Sequence, residues 1–212
     1  MNRFLLSAGF MSAAALFAVG LAQNSGRKSE QFRKEFLEKF RRTSLNTTPG
    51  DAMMLRILVE SSGAKRGIEI GTASGFGAIN LGIAFERTGG RLFSMELDPR
   101  RAREARENLE KVGLEKTVTV LEGDALELLP SFSGEVDFLF IDANKSDYLR
   151  YLKAIEPKLK KGAVVVADNT IVHAQAMADY LEYVQTSPNY DTVTIRASME
   201  KNDGMTVSYK IR

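Results

Sequence analysis

Two segments of this chain decide its fold: FLFID at residues 138–142 and VVVADN at residues 164–169. Each is an apolar run that ends on an oxygen-bearing side chain, which is typical of a buried parallel strand with a functional group at its carboxyl end. Ligands of open α/β sheets bind outside that edge. The pattern predicts that Asp142, Asp168 and Asn169 meet there, where two carboxylates and one amide would suit a hard cation such as Mg²⁺.

A glycine-rich loop, GTASGFG at residues 71–77, lies upstream between a β-branched strand and a helical segment. Glycine lets the backbone approach a ligand closely, and the start of a helix offers unpaired N–H groups. The spacing GxxxGxG differs from the G-x-G-x-x-G of a dinucleotide site and is weak evidence alone. An aspartate at a strand end can also be an ordinary turn residue, but the loop and both acidic strand ends together favour a ligand site.

A second strand, RLFSMELD at residues 91–98, also ends in acidic residues. A carboxylate at its tip can accept hydrogen bonds from both hydroxyls of a ribose, which predicts a ligand that contains a nucleoside. We assign this role to Glu96, because Asp98 precedes Pro99 and a helical run and is explained as a helix cap. Asp124 follows a third strand and could accept the adenine amino group, although a turn aspartate needs no such role.

The C-terminal residues predict a hairpin. Apolar residues alternate over positions 193–197 and again over 205–211, and KNDG at 201–204 forms a turn between them. One strand of an otherwise parallel sheet is therefore expected to be antiparallel. Asp203 is interpreted as a turn residue.

These residues together resemble a known family, the class I S-adenosylmethionine-dependent O-methyltransferases of the catechol and caffeoyl-CoA type, including their small bacterial relatives. The resemblance runs from about residue 47 to residue 212. It rests on EIGTASGF (69–76), MELD (95–98), GDA (123–125), IDANK (141–145), ADNT (167–170) and DG (203–204). It implies a doubly wound, Rossmann-like α/β sheet of seven strands, mostly parallel with a C-terminal antiparallel hairpin.

The resemblance also implies roles for individual residues. Lys145 would lie beside the substrate hydroxyl as the catalytic residue, and a divalent cation, Mg²⁺ or another such as Mn²⁺ or Ca²⁺, would bind Asp142, Asp168 and Asn169. S-adenosylmethionine would be held by residues along the glycine loop and the strand ends. These are Thr48, Glu69, Gly71, Thr72, Ser74, Gly75, Gly77, Glu96, Asp124, Ala125 and Asp142.

Several positions depart from the family. Gly77 stands where the family often has serine or threonine, which would remove one hydrogen bond to the cofactor carboxylate. Ala143 and Asn144 replace the His-Trp pair of the animal catechol enzymes and are closer to the bacterial form. The glutamate that clasps catechol in the animal enzymes would fall near Ala197, with Glu200 as a possible substitute. These differences bear on the substrate and not on the reaction type.

The chemistry can also be argued from the residues. Methyl transfer from a sulfonium is an in-line displacement, so the protein has to align two reactants and supply a deprotonated oxygen. A phenol, with a pKa of about 10, is mostly protonated at neutral pH. A dication would lower that pKa, and a neighbouring lysine could take the proton. Lys145 is three residues from Asp142. The alternative is a solvated loop lysine.

Composition limits the possible functions. A chain of 212 residues with 44% hydrophobic content can bury a substantial core as one domain. Lys and Arg total 29 against 27 acidic residues, and the net charge of +2 gives no strong field for nucleic acid. Cysteine is absent from the chain, which excludes disulfides, thiolate catalysis and cysteine-ligated metal sites.

The amino terminus predicts export. Residues 1–22 combine a positive start, an apolar core and small residues before a polar stretch, which matches a signal peptide cleaved after Ala22. The alternative is an uncleaved membrane anchor. Export conflicts with a cofactor that is made in the cytoplasm. Residues 23–46 contain a helix whose aromatic stripe would pack against the domain at 47–212 or a second subunit.

The sequence therefore predicts a metal-dependent O-methyltransferase for a small catechol-like aromatic, with no nucleic acid partner and a homodimeric assembly. An alternative is methylation of a hydroxylated tRNA uridine, against which near-neutral charge and an export signal count. Another is a nucleoside-binding protein without catalysis. The one histidine of the chain, His173, could touch substrate but is simpler as a loop residue.

Overall fold

The structure, a computed structural model, describes residues 28–212. Its helices are α1 (Glu30–Glu38), α2 (Pro49–Ser62), α3 (Phe76–Thr88), α4 (Pro99–Lys111), α5 (Ala125–Ser131), α6 (Tyr148–Ile155) and α7 (Ala178–Thr186). Its strands are β1 (Arg66–Ile70), β2 (Arg91–Glu96), β3 (Val118–Glu122), β4 (Val136–Ile141), β5 (Leu159–Ala167), β6 (Tyr190–Ile195) and β7 (Met205–Lys210). Short 3₁₀ turns lie at Lys145–Asp147, Glu156–Lys158 and Ala174–Met177.

The strands form one sheet of seven in the order β3-β2-β1-β4-β5-β7-β6. Strands β1 to β5 pair in parallel, and β7 runs antiparallel to both β5 and β6. The predicted fold, a mostly parallel seven-stranded sheet with a C-terminal hairpin, is confirmed. The alternation of β6 ends at Ile195, two residues earlier than its pattern indicated.

Register places the predicted site residues side by side. Ile70 of β1 pairs with Ile141 of β4, and Ile141 pairs with Ala167 of β5. The residues that directly follow these three strands are Gly71, Asp142 and Asp168, and all three lie at one edge of the sheet. The switch in strand order between β1 and β4 opens the crevice in which ligands of such sheets bind.

Helices cover both faces of the sheet, since β4 and β5 are apolar on both sides. One buried cluster joins α2, α3 and α4 to the sheet through residues such as Leu55, Ile79 and Leu109. The other joins α5, α6 and α7 through residues such as Leu129 and Tyr180. Each face of the sheet thus has its own buried cluster, and the carboxyl edge of the sheet is held from both sides.

Helix α1 docks on the domain through a buried arginine as well as its aromatic stripe. Phe40 packs on Phe76 with ring centroids 5.4 Å apart, whereas Phe32 at the other end is 41% exposed. Arg33 is only 2% exposed; its guanidinium pairs with Glu86 at 2.7 Å and donates to the Val112 carbonyl at 2.9 Å. The aromatic stripe was readable from sequence, but the buried arginine was not.

The predicted signal peptide or anchor, residues 1–22, lies outside the described residues. Within residues 28–212, the helices are too short or too polar to cross a bilayer.

Gly71 provides a test of the site's framework. Its φ is 98°, and a Cβ there would lie 2.0 Å from the Asp142 carbonyl oxygen. Gly89 also has a positive φ, 73°, but a Cβ there would meet no atom within 4 Å. We expect Gly89→Ala to lower the free energy of unfolding by about 1–2 kcal/mol, the cost of the left-handed conformation alone. Gly71→Ala should cost roughly twice that or more, because it also separates β1 from β4.

Urea unfolding of both variants measures the difference. Equal losses for the two alanines would contradict the close approach of β1 to Asp142.

Candidate active site

One cavity of about 690 Å³ runs along the carboxyl edge of the sheet from β3 to β5. Its size matches a drug-sized ligand. It brings together residues from six separate parts of the chain that sequence analysis had singled out. These are Thr48, Gly71, Glu96, Asp124, Ala125, Asp142, Lys145, Asp168 and Asn169.

At the β2 end of the cavity, Glu96 is fixed by the glycine loop. Its Oε2 accepts from the Ala73 N–H at 2.8 Å, and its Oε1 accepts from the Asp98 N–H at 3.0 Å. Asp98 caps α4 by accepting from the Arg100 N–H at 2.8 Å, which agrees with its interpretation as a cap. Glu96 is thus the carboxylate of β2 that is oriented toward the cavity and able to receive ribose hydroxyls.

Asp124 both caps a helix and lines the cavity. Its carboxylate accepts from the Leu126 N–H at 2.8 Å at the start of α5, and the neighbouring Ala125 is buried against the same space. The two functions proposed from sequence are therefore compatible, since a capping carboxylate keeps lone pairs for a ligand.

Backbone strain marks both ends of the site. Ala73 in the glycine loop and Asn169 after β5 have positive φ values of 48° and 61°, which are uncommon outside glycine. Such strain persists where surrounding structure holds it, and it clusters at functional sites.

A buried acid lies beneath the glycine loop. Glu69 is 1% exposed and accepts a hydrogen bond from Ser94 Oγ at 2.5 Å, while Ser94 Oγ also shares one with Thr72 Oγ1. Burial, opposed by the Ser94 hydrogen bond and reinforced by the charges of Asp142 and Glu96, raises the pKa of Glu69 to about 8. The carboxyl group is therefore largely neutral at neutral pH until a cation binds beside it.

Gly77 makes room for this acid. A Cβ at Gly77 would lie 2.6 Å from Glu69 Oε1, so a larger residue would push the carboxyl group aside. The glycine that departs from the family pattern is thus explained by packing. Glu69, Thr72 and Gly77 line a second, much smaller cavity of about 10 Å³ that adjoins the first at Gly71 and Asp142.

The roof of that small cavity is residues 45–47. Ser74 Oγ donates to Asn46 Oδ1 at 3.1 Å, which ties the roof to the glycine loop. Within residues 28–212, Asn46 Nδ2 and Thr47 Oγ1 are buried without a hydrogen-bond partner. Buried polar groups are rarely left unpaired, so these two are ready to receive a polar ligand. Sequence analysis missed both, and their only signal was their position just before a helix cap.

Ser74 and Gly75 border neither cavity. The Ser74 carbonyl accepts from Asn108 Nδ2 at 3.0 Å, and a Cβ at Gly75 would lie 3.2 Å from Ala105 Cα. Both residues fit the loop against α4. Their predicted contact with a cofactor stays a prediction.

At the β4 end, Lys145 reaches back to the strand tip. Its Nζ donates to Asp142 Oδ1 and to the Tyr148 hydroxyl, both at 2.9 Å, and Tyr148 in turn donates to the Asp168 carbonyl at 3.2 Å. An ammonium has three donors. Among the described residues, these two partners use two of them, and the third is available to a ligand in the cavity.

A second lysine, Lys201, lies at the β5 end and was missed by sequence analysis. Its Nζ contacts Asp168 Oδ1 at 2.7 Å, Asp168 Oδ2 at 2.9 Å and Asp51 Oδ2 at 2.9 Å. Asp51 is fully buried, and Thr48, the cap of α2, donates to the same oxygen at 2.8 Å. Burial lowers the pKa of Lys201, but the charges and hydrogen bonds of its two aspartates outweigh this and raise it.

Burial and the neighbouring Asp142 charge raise the pKa of Asp168 to about 6, although Lys201 acts in the opposite direction. Asn169 points its amide Nδ2 at Asp203 Oδ2, 3.1 Å away. Asp203 also accepts from the N–H groups of Ile171 and Val172 at 3.0 Å. Asp203 thus organises the loop after β5, which extends its interpretation as a turn residue.

Two further residues have defined positions. His173 lines the large cavity and can touch a ligand there. Glu200, considered as a substitute for the family's catechol-clasping glutamate, forms an exposed pair with Arg42 at 3.0 Å.

Comparison with known proteins identifies the family of the chain. A family model described as O-methyltransferase matches residues 23–205. A catechol O-methyltransferase from Niastella koreensis is 32% identical over 132 residues, covering 60% of this chain and 59% of the relative. One from Mycobacterium tuberculosis is 33% identical over 147 residues, covering 69% and 63%. The matched part thus spans about three fifths of these curated relatives.

Among solved structures, a cofactor-bound protein from MTB superposes with a TM-score of 0.75 at 25% identity. The match covers 91% of this chain and 95% of that one.

The raised pKa of Glu69 predicts a pH-dependent stability. A folded pKa of about 8 against an ordinary value of 4.5 means that the stabilisation is complete below pH 4.5 and is lost as pH rises through 8. Across that window this group should lower the free energy of unfolding by about 1.4 kcal/mol per pH unit. Glu69→Gln, which stays neutral, should not show this loss, whereas Glu110→Gln on the exposed face of α4 should keep the wild-type profile.

Chemical unfolding at pH 5 to 9 in the absence of ligand provides the measurement. Parallel pH profiles for wild type and Glu69→Gln would show that the acid is already ionised.

Proposed function

The chain belongs to the O-methyltransferase family, and from this premise we propose that it transfers a methyl group from S-adenosylmethionine to a hydroxyl of a small catechol-like aromatic. One observation carries the proposal: a single cavity joins Glu96 at the end of β2 to Asp142 and Lys145 at the end of β4. Glu96, the carboxylate proposed to bind the nucleoside, and Lys145, the lysine proposed to act on the acceptor hydroxyl, thus line the same cavity. The two relatives named as catechol O-methyltransferases support the acceptor class.

The proposed cofactor lies across the crevice with its ribose on Glu96 and its adenine beside Asp124 and Ala125. Its methionine end lies where the large cavity adjoins the small one above Glu69. There the cationic amino group would meet a buried acid, and the carboxylate would meet the unpaired donors of Asn46 and Thr47. Each end of the cofactor therefore finds a group of matching chemistry, since buried polar groups need partners.

The proposed transfer is an in-line displacement. The acceptor oxygen forms a bond to the methyl carbon while the carbon–sulfur bond breaks, and the sulfur keeps that electron pair. Lys145 first releases one ammonium proton to solvent, and the hydroxyl proton then passes to the resulting amine and on to solvent. Asp142 and Tyr148 hold Lys145 Nζ by hydrogen bonds of 2.9 Å, so the remaining position on this nitrogen has a fixed direction. Alignment of this kind supplies much of the rate enhancement of such reactions.

The predicted divalent cation at Asp142, Asp168 and Asn169 stays a prediction, and the side chains as placed do not fit it. Both oxygens of Asp168 face the Lys201 ammonium, and Asp142 Oδ1 faces Lys145. The proposed transfer therefore includes no step through a metal.

We also propose the assembly and location that the sequence predicts. A homodimer is supported by the exposed apolar pair Met53 and Ile57, which lie one turn apart on α2. Export is supported by the composition of residues 1–22, with membrane anchoring as the alternative.

Transfer of a radiolabelled methyl group to a panel of catechols by the full chain tests the function. Lys145→Met should lower kcat by about 100-fold or more, because it removes the proton acceptor, while leaving cofactor affinity unchanged. Glu96→Gln should instead weaken cofactor binding by about tenfold or more, because it removes a charged ribose partner. Lys116→Met, at an exposed loop position, is the matched control and should change neither.

Absence of S-adenosylmethionine binding would contradict the methyltransferase proposal. Binding with transfer to a hydroxylated tRNA but to no catechol would replace the acceptor class.

Cofactor binding should release protons through Glu69. A cationic amino group beside this acid lowers its pKa from about 8, so a complex formed at pH 7 should release up to about one proton. Calorimetric titration with S-adenosylmethionine in two buffers of different ionisation enthalpy measures that number. Glu69→Gln should bind without proton release, and buffer-independent heats for wild type would place the amino group elsewhere.

A further inference from the structure

We infer that the Lys201 ammonium holds the place of a divalent cation at the β5 end of the site, so that this chain excludes a metal from Asp168. The inference concerns the same site as the proposed function, and its role in transfer rests on that function. Its structural part, exclusion of the metal, can be tested without any transfer.

The Lys201 ammonium is surrounded by carboxylate oxygens. Lys201 Nζ meets Asp168 Oδ1 at 2.7 Å, Asp168 Oδ2 at 2.9 Å and Asp51 Oδ2 at 2.9 Å. Three carboxylate oxygens therefore match the three donors of one ammonium. A metal ion bound to Asp168 would need at least one of the two oxygens that Lys201 already occupies.

The two acids that Lys201 contacts are buried. Asp51 is fully buried and Asp168 is 2% exposed, so both negative charges need a partner inside the protein. Lys201 is that partner for both. Its own side chain is 21% exposed, and its aliphatic part reaches into the site from the turn between β6 and β7.

The positive charges beside Asp142 and Asp168 would oppose the binding of a metal ion. Asp142, the other predicted carboxylate ligand, is paired with Lys145 at 2.9 Å. A dication placed between the two aspartates would face two ammonium groups at close range, and like charges at such distances repel strongly in a partly buried site. Lys201 thus supplies the fixed positive charge at Asp168, while Lys145 Nζ, held by Asp142 and Tyr148, keeps one position for the acceptor oxygen.

Titration of the full chain with Mn²⁺ tests the inference. Binding is measured as the loss of the free-ion signal in electron paramagnetic resonance. Wild type should bind weakly, and Lys201→Met should bind at least about tenfold more tightly, which corresponds to about 1.4 kcal/mol of removed repulsion. Lys161→Met removes the same charge from an exposed position on β5 and should bind like wild type.

A second variant guards against misfolding. Lys201→Met leaves Asp51 buried without a cation, whereas Asp51→Asn with Lys201→Met removes both charges and should fold and bind Mn²⁺ more tightly than wild type. In both Lys201 variants, but not in wild type, Mn²⁺ should raise the midpoint of thermal unfolding. Wild-type binding as tight as that of the variants would overturn the inference, and so would the absence of binding in all forms.

Transfer by wild type should also persist in EDTA, and inhibition by the chelator would overturn the inference. Failure of every catechol as an acceptor would instead count against the proposed function, and the Mn²⁺ titration would still decide the role of Lys201.

Discussion

The backbone at Gly71 runs so close to the Asp142 carbonyl that the space between the ends of β1 and β4 has no room for a side chain. This contact aligns the glycine loop with the tip of β4, and the register between β4 and β5 then sets the position of Asp168. A parallel sheet offers its carboxyl edge to ligands, but only in-register strands turn that edge into a site. The proposed cofactor and acceptor ends of the cavity are therefore fixed relative to one another by backbone geometry.

Charge balance is the second constraint on the site. Glu69 is kept largely neutral by burial, while Asp142, Asp168 and Asp51 are offset by Lys145 and Lys201. A buried charge is costly unless it is paired. Removal of one partner of such a pair therefore leaves an unpaired buried charge. This charge balance is what the proposed function requires, namely a positive charge at Glu69 and a hydroxyl oxygen at Lys145.

Much of this arrangement could be predicted from sequence. Apolar runs that end in Asp142 and Asp168 predict buried strands, and the strand order then brings the ends of these strands together. Alternation of apolar residues predicts the C-terminal hairpin. Lys201 could not be placed this way, because its reach to Asp168 depends on the offset between antiparallel strands and on the path of the turn. Arg33 was missed for a similar reason, since burial of an arginine is decided by distant carbonyls rather than by its neighbours in sequence.

The loop before β7 touches the N-terminal part of the site at three points. Arg42 pairs with Glu200, Asp51 pairs with Lys201, and a Cβ at Gly50 would lie 2.7 Å from the Ala197 carbonyl oxygen. Residues 45–47 above the small cavity and the wall of the large cavity beside Lys201 are thus parts of one connected body. If the proposed cofactor and acceptor bind on the two sides of these contacts and each favours the same arrangement of them, linkage is reciprocal: whatever factor one ligand gains from the presence of the other, the other gains equally.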